Sequence, residues 1–239
     1  GESDIISVAD VTYVGENSGD KLGFSVSAGG DINGDGIEDL LMAASFNDDN
    51  GFRSGKVYLI YGSSSLASIT LDNADASFRG EANNDLAGSG LAGGADVNGD
   101  GLSDFLIGSP VNSEAFTESG IAYLMQTEGS VSCDRFDTLI DLSDTNLVDA
   151  YIRGQTNSDI FAFEHTNVGD INGDGYDDLA IGAYSFSPTV SGSLRNNAGS
   201  VFVFFGPLDS GEFDSSTADL IIHGEVADDL LGSKVASAG

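Results

Sequence analysis

The stretch Asp31-Ile-Asn-Gly-Asp-Gly-Ile-Glu-Asp39 determines how the whole chain is interpreted, and a short apolar run at residues 40–44 follows it directly. Close copies of this stretch stand at residues 96–104 and 170–178. Each copy has oxygen-bearing side chains at positions 1, 3, 5 and 9 and a glycine at position 6. Alternate side chains of a tight loop point inward, where they can surround a hard cation together with the carbonyl of position 7. This spacing predicts calcium binding.

Two other kinds of calcium loop can be compared with this pattern. An EF-hand has a bidentate glutamate at position 12 and flanking helices, whereas position 12 here is Met42, Ile107 or Ile181. The glycine-rich nonapeptide of calcium β-rolls is absent from the sequence. Simple Asn-Gly and Asp-Gly hairpin turns would explain the glycines, but not acidic positions held in the same register three times. We therefore predict nine-residue calcium loops, each joining two β-strands.

The composition narrows the class of protein and of partner. The 239 residues include 33 glycines and only 3 prolines, which is typical of an all-β chain with many turns. The formal net charge is −31, which argues against nucleic acid and anionic membranes as partners. No apolar run approaches membrane-spanning length. Cys133 is the only cysteine, so the sequence allows no internal disulfide.

The whole chain is internally repeated. A glycine stands sixteen residues before each loop, at Gly15, Gly80 and Gly154, and a fourth copy is Gly224. Each of these glycines has an aspartate five residues before it and another five residues after it. Such periodicity is the sequence signature of a repeat architecture. We predict repeat units at residues 15–79, 80–153 and 154–223, with the start of a fourth at 224–239.

Each unit contains four short apolar runs that we predict to be antiparallel strands. In the first unit they cover residues 23–28, 40–44, 56–61 and 76–79. Four such strands at this period describe the blades of a β-propeller, so we predict an all-β fold with residues 1–239 forming one partial propeller. A string of separate small β-sandwiches is the alternative, but the units are joined without Pro-rich or Ser-rich linkers.

These residues resemble the FG-GAP repeat of integrin α subunits and of many bacterial surface proteins. The first turn of the family pattern matches Leu22-Gly-Phe24 and Leu231-Gly-Ser233, and its Gly-Ala-Pro-like triplet matches residues 43–45, 108–110 and 182–184. The resemblance implies a seven-bladed propeller with three calcium ions. It also implies that the ligands in the three loops are Asp31, Asn33, Asp35, the carbonyl of Ile37 and Asp39; Asp96, Asn98, Asp100, the carbonyl of Leu102 and Asp104; and Asp170, Asn172, Asp174, the carbonyl of Tyr176 and Asp178.

The repeat register leaves both ends of the ring incomplete. We predict three complete blades, preceded by a fourth strand at Val11–Val14 and followed by a first strand at Leu231–Ala238. This amounts to about half of a seven-bladed ring. Because open sheet edges are costly, we expect further blades from the same chain or from another chain to complete the propeller; the alternative is that the two terminal strands pair in a reduced fourth blade.

Candidate recognition and catalytic residues lie outside the calcium loops. The connections between second and third strands, at residues 45–54, 111–119 and 185–198, vary in length and carry the modest candidates Phe52, Arg53, Phe116 and Arg195. The middle unit has an insertion at residues 126–139. Glu164 and His165 form the only plausible acid/base neighbourhood, but neighbours along a strand point to opposite faces. There is no nucleophile-elbow motif, and we expect the chain not to be an enzyme.

The sequence therefore predicts an extracellular or cell-surface module that calcium stabilises and that binds a protein or glycan ligand through its loops. The alternatives are a structural segment of a large bacterial surface adhesin or filament, and a non-catalytic part of a polysaccharide-active enzyme. We expect neither nucleic-acid binding nor membrane insertion.

Overall fold

The computed structural model describes residues 9–127, 136 and 139–237, which form short β-strands joined by turns. The strands are β1 (Tyr13–Val14), β2 (Leu22–Gly30), β3 (Asp39–Ala44), β4 (Lys56–Ile60), β5 (Ile69–Thr70), β6 (Ala76–Arg79), β7 (Gly90–Ala95), β8 (Asp104–Ser109), β9 (Ile121–Met125), β10 (Leu139–Asp141), β11 (Ala150–Arg153), β12 (Phe161–Gly169), β13 (Asp178–Ala183), β14 (Thr189–Val190), β15 (Ser193–Leu194), β16 (Ser200–Phe204), β17 (Gly211–Asp214) and β18 (Leu220–His223). Single-turn 3₁₀ segments cover Leu71–Asn73 and Ser215–Thr217. No helix in the described part is long and apolar enough to cross a bilayer.

Three blades follow one another along the chain, as the repeats predict. In blade 1 the strands pair in the order β2-β3-β4-β6, in blade 2 as β7-β8-β9-β11, and in blade 3 as β12-β13-β16-β18, with antiparallel neighbours throughout. The predicted strands inside the three units are found, most with ends one or two residues away from the predicted ones. The first strands lie side by side, with β7 packed between β2 and β12. The all-β fold built of propeller blades is therefore confirmed, while completion of the ring stays a prediction.

The second and third strands of each blade are buried because both faces of the blade pack against something. All five residues of β4, β9 and β16 are buried, as are all six of β8 and β13. One hydrophobic cluster joins blades 1 and 2, and a second joins blades 2 and 3. These strands therefore read as continuous apolar runs rather than as alternating ones.

A fifth strand extends the edge of a blade and was not predicted. The segments β5, β10 and β17 each lie between the third and fourth strands of their own unit, and each pairs in parallel with the fourth strand of the preceding unit: β1, β6 and β11. Each unit thus covers the outer edge of the unit before it, which protects backbone groups that would otherwise be unpaired. The prediction of purely four-stranded blades missed this connection because the added strands are only two to four residues long.

The predictions for the two ends need correction. The strand predicted at Val11–Val14 is shorter, Tyr13–Val14. The strand predicted at Leu231–Ala238 is wrong over the described residues 231–237, where Leu231 makes only an isolated bridge with Gly199; Ala238 lies outside the described residues. In the other units the first strand pairs with a second strand beyond the loop, whereas among the described residues no second strand pairs with residues 231–237.

Part of the predicted insertion belongs to the core. Phe136 is 3% exposed and packs edge-on against Phe78 of blade 1 and Phe105 of blade 2, with centroid distances of 5.6 Å to each. Phe78 and Phe105 also contact each other, at 5.4 Å. Cys133, in the same insertion, lies outside the described residues. The insertion thus contributes a buried ring between two blades, where the sequence indicated only a variable loop.

Candidate metal centre

The three predicted calcium loops occupy equivalent places, at one end of the blades. Each follows a first strand (β2, β7 or β12), and its ninth residue begins the second strand (β3, β8 or β13). Within each loop the glycines at positions 4 and 6 have positive φ, for example +74° at Gly34 and +85° at Gly36. A side chain is strained in this conformation, so the two glycines allow the backbone to curl around the side chains of positions 1, 3 and 5.

The side chains predicted as ligands also organise the backbone of each loop. In the first loop the N–H of Asp35 donates to Oδ1 of Asp31 at 3.0 Å and the N–H of Gly36 to Oδ2 at 2.9 Å. Asp35 in turn accepts the N–H of Ile37, at 2.8 Å. The same bonds recur in the other two loops. In the third loop, donation led by the N–H of Gly175 lowers the pKa of Asp170 below its usual value. Positions 1 and 5 are therefore brought together in all three loops.

The aspartate at position 9 plays a different part from the other ligands. Asp39, Asp104 and Asp178 are at most 2% exposed. In the first loop Asp39 accepts the N–H of Ile32 at 2.8 Å and that of Gly62 at 2.7 Å, so it ties the loop to the end of β4. Asp104 and Asp178 make the equivalent pairs of bonds. Burial raises the pKa of Asp104 to about 7, against the lowering effect of its two N–H donors. Position 9 therefore fastens the loop, a role that the spacing alone does not indicate.

The loops of neighbouring blades contact one another, which the sequence did not reveal. The N–H of Ser103 in the second loop donates to the carbonyl of Asp31 in the first, and the N–H of Asp177 in the third donates to the carbonyl of Asp96 in the second, both at 3.1 Å. A Cβ at Gly99 would lie 2.5 Å from the ring of Tyr176. Position 7 of one loop thus covers the glycine at position 4 of the loop before it, and the three loops form a continuous row.

The chemistry of each loop fits a hard cation. Within residues 9–127 and 139–237, no ion pair involves a carboxylate of these loops, and no hydrogen bond to the carbonyl of Ile37, Leu102 or Tyr176 is found among the turns and loops. These are the carbonyls that the family pattern assigns to the metal. No group of three or more His, Cys, Asp or Glu side chains in the described part is arranged to hold a metal ion. Calcium binding at the fifteen predicted ligands therefore stays a prediction.

Glu164 and His165 have separate partners and do not form an acid/base pair. His165 is 5% exposed, and its Nε2 lies 3.3 Å from the carbonyl of Leu106 in blade 2. Burial lowers its pKa from 6.5 to about 4, so it is neutral at physiological pH. Glu164 forms an ion pair with Lys234. The arrangement is that of a core histidine packed between two blades.

The other candidate residues from the sequence lie at the opposite end of the blades from the calcium loops. Phe52 is 57% exposed and Phe116 47% exposed. Arg53 stacks on Phe52, with its guanidinium carbon 4.8 Å from the ring centroid. Arg195 donates to the carbonyl of Gly224 at 2.7 Å, which makes it a structural contact between a loop and the residue that follows β18.

Comparison with known proteins supports the assignment of the repeats. The FG-GAP repeat family matches residues 22–60, 87–125 and 165–204. Each matched range begins in or just before the first strand of a blade, passes through one predicted calcium loop, and ends in its third strand. The family thus describes three of the four strands in each of the three blades.

Parts of several longer proteins are also similar to this chain. Integrin alpha-PS2 of Drosophila melanogaster is 29% identical over 178 residues, covering 72% of this chain and 12% of that protein. Integrin alpha-4 of Xenopus laevis is 37% identical over 89 residues. Phosphatidylinositol-glycan-specific phospholipase D of Bos taurus is 30% identical over 185 residues, covering 70% of this chain and 19% of that enzyme. The chain spans less than a quarter of the length of these relatives. The chain therefore contains three FG-GAP repeats, folded as three blades, and is similar to integrin alpha subunits.

Proposed function

We propose that this chain is a calcium-stabilised propeller module that acts outside the cell or on its surface and binds a protein or glycan ligand through its loops. The observation that carries the proposal is the row of three loops with one pattern of hydrogen bonds. The similarity to integrin alpha subunits supports a role in adhesion. The net charge of −31 suits a medium rich in divalent cations.

Calcium would stabilise this fold by offsetting repulsion inside each loop. Positions 1 and 5 supply two aspartates that accept the loop's own N–H groups, and position 9 adds a buried third carboxylate. The charges of Asp100 and Asp96 each add to the raised pKa of Asp104. A divalent ion held between these oxygens would remove the repulsion and favour the folded state by mass action. The protein's own contribution is to hold the oxygens in place before the ion arrives.

The test is a thermal unfolding experiment with and without a chelator. Extracellular calcium modules bind with dissociation constants of about 10⁻⁴–10⁻³ M, so about 10 mM calcium should raise the melting temperature by several degrees over the chelated protein. Titration calorimetry should count three sites. Asp35→Ala, Asp100→Ala and Asp174→Ala should each remove one. Glu225→Gln, which removes an exposed carboxylate outside the loops, is the matched control and should leave three.

Two results would contradict the proposal. If the melting temperature were the same in calcium and in excess chelator, the metal would have no structural role. If calorimetry still counted three sites after each alanine substitution, the ligands would have been assigned to the wrong residues.

A second candidate is that the chain is a non-catalytic segment of a larger enzyme or of a surface filament. The similarity to phosphatidylinositol-glycan-specific phospholipase D favours the enzyme version, because only 19% of that protein is covered. Glu164 and His165, the acid/base neighbourhood named from the sequence, have separate partners. We expect the isolated chain to show no hydrolase or lyase turnover. Turnover that His165→Ala abolishes would overturn this.

A further inference from the structure

Five side chains in blade 1 form a surface that we call the cation–aromatic patch: Lys21, Phe24, Phe46, Phe52 and Arg53. The ammonium of Lys21 lies 3.8 Å from the ring centroid of Phe46, and the guanidinium carbon of Arg53 lies 4.9 Å from the same centroid. Phe24 packs against Phe46 with a centroid distance of 6.0 Å. Phe24 and Phe52 are 45% and 57% exposed. Two cations and two exposed rings therefore share one surface.

The two cations of the patch differ from the other described cations in their contacts. Elsewhere in residues 9–127 and 139–237, Lys56, Arg79, Arg153 and Lys234 pair with carboxylates, and Arg195 donates to a backbone carbonyl. Lys21 and Arg53 make no side-chain hydrogen bond or ion pair within those residues, only contacts with aromatic rings. Ring contacts position a cation without neutralising it. Both charges thus remain available in a protein with a net charge of −31.

The repeated scaffold shows that the patch is specific to one blade. Lys21 has a φ of +56°, and the corresponding Leu86 and Leu230 have φ values of +57° and +55°. Arg53 has a φ of +53°, and the corresponding Asn197 has +49°. The backbone is therefore the same in the other units, where neither position carries a cation; the equivalent of Arg53 in blade 2 is Glu118, with a φ of +52°. The two cations are not needed to form the turns, because other side chains form the same turns.

We propose that the cation–aromatic patch is a docking surface for a short acidic and apolar segment of a partner protein. Carboxylates of such a segment would meet Lys21 and Arg53, while its apolar side chains would cover Phe24 and Phe52. A uniformly charged polysaccharide fits less well, because the adjoining loop surface is acidic: Asp48 and Asp49 are exposed. Beyond the two cations such a chain would meet repulsion within the screening length of about 8 Å. This inference rests on the proposed binding role and names the chemistry of the ligand.

The location of the patch separates it from the calcium loops. Lys21 and Phe24 lie at the start of β2, and Leu22 pairs with Ala44 at the end of β3. The N–H of Phe46 donates to the carbonyl of Asp20 at 3.2 Å, which holds this corner together. The calcium loop follows the other end of β2. Substitutions in the patch can therefore be made without touching the predicted metal ligands.

The test uses the full chain in about 1 mM calcium and a short dye-labelled peptide in which Leu and Asp alternate, with binding followed by fluorescence anisotropy. Wild-type protein should bind this peptide saturably. The double variant Lys21→Leu/Arg53→Asn, which uses the residues of the other blades, should bind at least about tenfold more weakly. The control Ser193→Asp/Asn196→Asp makes the same change in net charge on exposed residues of blade 3 and should bind within about twofold of wild type. Peptides with Asn for Asp, or with Ser for Leu, should each bind more weakly than the parent.

Three outcomes would overturn the inference. The first is that wild-type protein does not bind the peptide, and the second is that the double variant binds it as tightly as wild type does. The third is that polygalacturonate binds more tightly than the peptide with the same dependence on Lys21 and Arg53, which would make the partner a glycan. The melting temperature in calcium and in chelator distinguishes this failure from that of the proposed function. If calcium still raises the melting temperature but the peptide does not bind, only the inference about the patch fails. If calcium has no effect, the proposed calcium-stabilised module fails.

Discussion

The substitution Phe136→Ala tests whether the insertion at residues 126–139 contributes to the core or is only a variable surface loop. The ring is 3% exposed and packs edge-on against Phe78 and Phe105, between blades 1 and 2. Removing it loses about 2–3 kcal/mol of apolar burial, and about 1 kcal/mol for each of two aromatic pairs. We therefore expect the free energy of unfolding to fall by about 4 kcal/mol, within the range of about 3–5 kcal/mol measured for such core truncations.

The assay is unfolding by heat and by guanidinium, followed by circular dichroism. For a chain of this length about 1 kcal/mol corresponds to about 2–4 °C, so the melting temperature should fall by about 8–16 °C. Phe116→Ala is the matched control, because Phe116 is 47% exposed on a loop, and it should change stability by less than about 0.5 kcal/mol. If Phe136→Ala cost less than about 1 kcal/mol, the ring would not be part of the core and the packing between blades 1 and 2 would be wrong.

Three further predictions concern titration and contacts between loops. Burial, with the charge of Glu114, raises the pKa of Glu81 to about 7. The stability that protonated Glu81 contributes is present below about pH 4.5 and is lost as the pH rises through 7, so the variant Glu81→Gln should be up to about 3 kcal/mol more stable than wild type at pH 8. Equal free energies of unfolding for the two proteins at pH 8 would contradict this. Because the pKa of buried His165 is lowered to about 4, its contribution to the free energy of unfolding is fully present above about pH 6.5 and decreases as the pH falls toward 4. The variant His165→Gln should remove up to about 3 kcal/mol of that decrease. Urea unfolding in which the variant loses as much stability between about pH 6.5 and about pH 4 as wild type would refute this. Tyr176→Ala removes the ring that covers Gly99 and should cost about 1–2 kcal/mol; a calorimetric melting temperature equal to that of wild type would show that the second and third loops do not support each other.

The strands and the turns of the predicted calcium loops could be predicted because their signals are local. An apolar run such as residues 40–44 indicates a strand through its own residues, and Gly34 and Gly36 indicate a loop through the conformations that only glycine adopts readily. Repetition of one pattern three times identified the unit and the family. None of these conclusions needs a residue from another unit.

Other features depend on residues that are far apart in sequence. The strands β5, β10 and β17 are two to four residues long and exist because each meets the edge of the preceding unit. The pattern marks Asp39 as one more ligand, yet the fold turns it toward the N–H groups of Ile32 and Gly62. Both depend on tertiary contacts that no local window contains.

The sequence by itself thus determined the all-β repeat, its turns and the residues predicted to bind calcium, because backbone preferences and side-chain spacing act within about ten residues. Only the tertiary structure decided that Phe136 is buried between two blades, that the three loops form one row, and that Lys21 and Arg53 meet at one aromatic ring. The physical reason is that burial and contacts between charged and aromatic groups depend on which surfaces the folded chain brings within a few ångströms of each other. The distance in space between two residues that are far apart in the sequence does not follow from their separation along the chain.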